Sequence, residues 1–141
     1  MTPDPFPLRK IYFEAWQKAL NKEILSPLET LIVDVIERHP EYHPLFQSQA
    51  SFENFQEEKF ALKHNPFFHL ALHIAIIEQI QTDKPVGIRT IYTKLLKKYS
   101  DRTLVEHKMM ACLAPILTQN FASSSNNNNE EAYLQALRTL T

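Results

Sequence analysis

The sequence is almost without glycine: Gly87 is the single one in 141 residues, where ordinary domains use about 7%. Hairpins and sheet turns consume glycine, so its scarcity speaks against a β architecture and for helices separated by proline- and asparagine-type breaks. It also removes Gly-rich phosphate loops and the common nucleotide chemistry that goes with them. Cysteine is equally scarce. Cys112 alone excludes an internal disulfide and a multi-cysteine zinc ribbon, so the fold does not depend on an oxidising compartment. A surplus of one charge is missing too. A formal net charge of −1 sets up no field toward nucleic acid or anionic lipid. The basic residues Arg89, Lys94, Lys97, Lys98, Arg102 and Lys108 read as solvated helix faces, with no helix-turn-helix spacing or RNA motif beside them. No apolar run is long enough to span a bilayer, and the first residues lack the apolar core of a signal peptide. The expected location is therefore the cytoplasm, with no membrane partner.

What is present suits one globular domain over residues 1–141, since apolar residues make up 44% and charged residues 22%, a core-forming balance. Residues 1–8 carry three prolines and read as an extended arm. Tyr12, Phe13, Trp16, Ala19 and Leu20 recur at helical spacing and predict a helix over 9–21. Ser26-Pro27-Leu28-Glu29 is a capping box with proline at the first helical position. The helix it opens has Leu28, Leu31, Ile32, Val35, Ile36 and His39 on its inner face, and Pro40 ends it. A compact break follows, His39-Pro40-Glu41-Tyr42-His43-Pro44, then one or two short turns, the second capped by Ser51. Residues 56–63 are charged and read as exposed. A helix over about 86–99 carries Gly87 in its first turn, where close approach of another backbone would favour glycine. Asp101 caps the next helix, which Pro115 should kink or break. Residues 123–129 read as a flexible polar loop, and Glu130-Glu131 open a last short helix.

The chain is centred on the helix over 66–82. Asn65 is placed as its N-cap and Pro66 as its first residue. From Phe67 to Ile77 only His69 and His73 are polar, and a helix apolar all round is a buried one. At about 100° per residue these two histidines share a stripe with Ile76 and Ile80. The same projection centres Glu106 on the apolar arc of the fifth main helix, with His107 at its edge. A buried carboxylate costs several kcal/mol unless paired, and pairing it with the imidazoles would solve both desolvation problems.

Three readings stay open. The polar core residues are structural and fix helix register. Or His69, His73 and Glu106 bind a divalent transition metal (zinc, iron or manganese), with His107, His43 or Glu41 as a further ligand. Or a His–Glu pair does acid–base chemistry, although no nucleophile or oxyanion group accompanies it. There is no HExxH, because position 70 is Leu.

The string His39-Pro40-Glu41-Tyr42-His43, Asn65-Pro66-Phe67-Phe68-His69 with His73 and Glu78-Gln79, Asp83, Pro85, Gly87-Ile88-Arg89, and Glu106-His107 with Met110 and Cys112-Leu113 resembles a family of short bacterial proteins. That family is catalogued as a domain of unknown function, number eighteen forty-one. The resemblance implies a cytoplasmic, mostly helical protein and supplies no chemistry. Its pattern has an acidic residue where this chain has Ala111 and an aromatic ending where it has Pro115.

The expectation is thus an all-α fold: an irregular bundle of five main helices plus one or two short ones around the 66–82 helix. The leading function is a small binding protein whose buried His/Glu constellation holds a transition metal. The alternative is a metal-free protein-interaction module, with a protein partner or a second copy. Catalysis is the least supported.

Overall fold

The structure, a computed structural model, describes residues 6–55, 65–119 and 126–141. Among them every regular element is helical: α1 (Phe6–Leu20), α2 (Pro27–Glu37), a 3-10 segment (Pro40–Phe46), α3 (Gln49–Glu53), α4 (Pro66–Thr82), α5 (Ile88–Tyr99), α6 (Arg102–Gln119) and α7 (Asn126–Leu140). The all-α expectation holds. No helix among the described residues is long and apolar enough to cross a membrane. The chain divides into two compact units, Met1–Ile74 and Ala75–Thr141, and the boundary falls inside α4.

In the first unit α1 packs on α2, and the 3-10 segment packs on α2 and α3. Helix α1 begins three residues before the expected Arg9, taking in residues 6–8 of the supposed arm. Pro7 does not prevent this, because a proline in the first turn lacks only an N–H that has no helical partner. The capping box forms as read. Ser26 Oγ accepts from the Glu29 N–H at 3.1 Å, and Glu29 Oε1 accepts from the Ser26 N–H at 2.9 Å. Lys18 Nζ lies 2.8 Å from the other Glu29 oxygen, tying the end of α1 to the start of α2. Ser48, not Ser51, caps α3 by accepting from the Ser51 N–H at 3.1 Å. The spacing of Phe52 and Phe55 fits either register, so sequence left the choice of serine open. A cluster of phenyl rings forms the core: Phe13 on Phe52 at 4.9 Å, Phe52 on Phe67 at 5.9 Å, and Phe46 on Phe67 at 6.1 Å. The charged residues 56–63 fall outside the described segments.

In the second unit α5, α6 and α7 pack on one another. Asp83 Oδ1 accepts from the N–H groups of Gly87 (3.2 Å) and Arg89 (3.0 Å). The Arg89 guanidinium turns back on the last turn of α4, donating to the carbonyls of Ile80 at 3.1 Å and Gln81 at 2.7 Å. Gly87 is the N-cap of α5 with φ +101°, and a Cβ there would meet nothing within 4 Å. Its glycine is thus a matter of left-handed backbone, not of close approach. Asp101 caps α6 by accepting from the Leu104 N–H at 3.1 Å. Helix α6 runs through Pro115 without the expected break. Pro115 is exposed, so the Ala111 carbonyl it leaves without a helical donor can turn to water. Helix α7 starts at Asn126, four residues before Glu130, and so converts residues 126–129 of the expected loop into helix. Residues 123–125 lie outside the described segments. Tyr133 Oη donates to Gln79 Oε1 at 2.6 Å, joining α7 to the second half of α4.

Candidate metal centre

The site begins with the way α2 stops. Pro40 cannot extend the helix, so the carbonyls of its last turn need donors from elsewhere. Two histidines provide them. His39 Nδ1–H donates to the Val35 carbonyl at 2.7 Å, and His43 Nε2–H donates to the Ile36 carbonyl at 2.9 Å. The chain then tightens into the 3-10 segment, with the Tyr42 N–H on the His39 carbonyl at 2.9 Å. The Tyr42 ring stacks on the His39 ring at 5.4 Å and 8°, closing one side of it.

That cap decides the chemistry of His39. A carbonyl only accepts, so Nδ1 carries the proton. Burial pushes the His39 pKa below its usual range, with His73 reinforcing it and the Val35 hydrogen bond opposing. The ring is therefore neutral, and its Nε2 is a bare lone pair. This is the tautomer a metal-binding histidine adopts when its second nitrogen is held by a backbone carbonyl.

The lone pair faces α4. Asn65 Oδ1 caps that helix through the Phe67 N–H at 2.9 Å, and Pro66 opens it, as the sequence predicted. One turn further in, His69 presents Nε2 to His39 Nε2 at 2.9 Å. His73, four residues on, has its ring 5.1 Å from that of His39 and 6.2 Å from that of His69. His39 is 1% exposed and His73 0%, while His69 is half-buried. The three rings belong to the first unit and offer nitrogen atoms within 4.8 Å of one another. Two imidazoles on one tetrahedral zinc at 2.0–2.1 Å stand about 3.4 Å apart, nitrogen to nitrogen. The observed 2.9 Å and the 4.8 Å limit bracket that separation, so small ring rotations would suffice.

The other residues singled out by sequence lie as follows. His43 is held by its bond to Ile36 and by the Trp16 ring at 4.9 Å, which makes it a helix cap. Glu106, on α6 in the second unit, is 2% exposed, inward as projected. It accepts from Arg102 Nε and from Tyr92 Oη, each at 3.2 Å, and these donors answer its buried charge. His107 is half-buried on the same helix. The member of this histidine group that the sequence reading passed over is His39. It stood on the inner face of α2, but its place before Pro40 made it look like a residue that merely closes a loop. It does close the loop, through Nδ1, and that bond is what turns Nε2 inward.

Fold and site together define a class: an all-helical protein with a buried group of imidazoles. The chain belongs to the family described as Domain of unknown function (DUF1841), whose profile matches residues 6–139, nearly its whole length. No curated protein and no solved structure matches it.

Proposed function

We propose that this is a small metal-binding protein in which His39, His69 and His73 hold a divalent transition metal through imidazole nitrogen. The observation that carries the reading is the Nδ1–H bond from His39 to Val35, which presents an oriented lone pair to two further imidazoles. Imidazole donors favour zinc, cobalt, nickel, copper and ferrous iron; manganese prefers oxygen and falls from the set. The burial of His39 and His73, 1% and 0% exposed, supports a site shielded from water.

Metal analysis of tag-free protein under native purification tests this. About one equivalent of zinc or iron is expected, lost in His39→Ala and in His73→Ala. A second reading has its own observation. The 2.9 Å contact between His39 and His69 closes as a hydrogen bond if His69 Nε2 carries the proton, and the imidazoles then serve only to fix the 3-10 segment against α4. Metal-free protein whose melting point ignores added zinc would establish that reading instead.

A further inference from the structure

We infer that the exposed side of α5 is a docking surface for duplex DNA, held through its phosphates without reading the base sequence. The surface belongs to the second unit and does not involve the histidine group, so its failure leaves the metal reading as it stands. The net charge of −1 is unevenly divided. Residues 1–74 carry seven Lys and Arg against ten Asp and Glu, whereas residues 75–141 carry eight against six. The excess is concentrated further: residues 84–108 hold seven cations and two carboxylates, Asp101 and Glu106. Both carboxylates are engaged, Asp101 with the Leu104 N–H at the start of α6, and Glu106, 2% exposed, with Arg102 and Tyr92.

Sequence alone reads these cations as solvated helix faces; the fold sorts them. Ile88, Ile91 and Leu95 form the buried side of α5, which leaves Arg89, Thr90, Thr93, Lys94, Lys97 and Lys98 exposed along the other. That arc contains no apolar residue and no acid. Beside it, Lys98 of α5 and Lys108 of α6 set their ammonium groups over one Tyr99 ring, 5.3 Å and 4.8 Å from its centre. The ring thus gathers like charges from two helices, and such a face favours a partner with many closely spaced negative charges.

The chemistry of the arc selects among such partners. Lysine and threonine are phosphate-contacting side chains. Protein interfaces are depleted in lysine and built on aromatic anchors, which the arc lacks. A helix on a lipid surface sinks its apolar face into the bilayer, but that face of α5 is taken up by the core. Single strands stack their bases on open aromatic rings, and Tyr99 is half-buried and occupied by two lysines. A duplex backbone fits best. A helix about 10–12 Å across matches the major groove of B-DNA, about 12 Å wide, and not the deep, narrow one of duplex RNA.

Fluorescence anisotropy of a labelled short DNA duplex of arbitrary sequence, measured in chelator across a salt series, tests this. Four cations on the arc predict a fall of log K against log salt with a slope of about −4. Lys94→Gln/Lys97→Gln should weaken binding and flatten that slope by about 2. Lys10→Gln/Lys22→Gln, an exposed basic pair of the first unit, should change neither. Circular dichroism shows that all three are folded. No binding at low salt overturns the inference, as does a slope that is the same in the α5 variant and the wild type. A preference for duplex RNA, poly-glutamate or phosphatidylglycerol vesicles over the DNA overturns it too.

Discussion

Each unit of this protein buries polar side chains, and the two solve the problem differently. In the second, Glu106 has its charge answered by Arg102, one turn earlier on the same helix, and by the Tyr92 phenol of α5. The arrangement is complete with protein atoms. In the first, His39, His69 and His73 face one another with nitrogen toward nitrogen. A proton shared in the 2.9 Å contact between His39 and His69, or a cation held between the rings, would suit that arrangement. On the proposed reading, equal burial marks a structural device in one case and a ligand-binding device in the other.

The largest effect expected from breaking that contrast is loss of metal. Changing groups that merely support a ligand costs about 10–100-fold in affinity, so removing a ligand, as in His39→Ala or His73→Ala, should exceed that in a competition titration with a chelator. Next comes stability. At a thousandfold excess over its Kd, zinc should stabilise the folded chain by about 4 kcal/mol, a rise of roughly 10 °C in Tm by calorimetry. The His39→Ala and His73→Ala variants should not respond.

Glu106→Gln sharpens the comparison from the other side. It keeps the shape but weakens the bonds to Arg102 and Tyr92, costing about 1–3 kcal/mol by denaturant unfolding while metal content is unchanged. Loss of metal in that variant would show that Glu106 is a ligand, as the sequence reading had it. A pH effect follows from His39. Burial holds its folded-state pKa down, so the unfolded chain takes up the proton first. The metal-free protein should keep its full stability above the unfolded value of about 6.5 and lose it progressively as pH falls below that. Melting curves in chelator at descending pH check this, and His39→Gln should flatten the dependence. Smallest is Ser26→Ala at the capping box, about 1 kcal/mol, with metal binding untouched.

Much of the architecture could be read from residues whose signals are local. Ser26-Pro27-Glu29, Asn65-Pro66 and Asp101 mark helix starts by bonds made within three residues, and the structure makes those bonds. The early starts of α1 and α7 and the run of α6 past Pro115 without a break were not read, because proline is tolerated in a first turn or on an exposed face, and a polar composition does not by itself forbid a helix. The inward faces of His73 and Glu106 were readable from periodicity. Their partners were read less well. Arg102 was in reach at one turn's spacing, but its exposed side chain made it look like part of a solvated face. Tyr92 comes from another helix, and no spacing announces it. The role of His39 depends on how a broken helix end is capped, and only the fold shows which of its two nitrogens does the capping.

The account stands most directly on metal stoichiometry. Elemental analysis of tag-free wild-type protein beside His39→Ala, both shown folded by circular dichroism, should find close to one transition-metal ion per chain in the first and background in the second. Background metal in both, or equal metal in both, would contradict it.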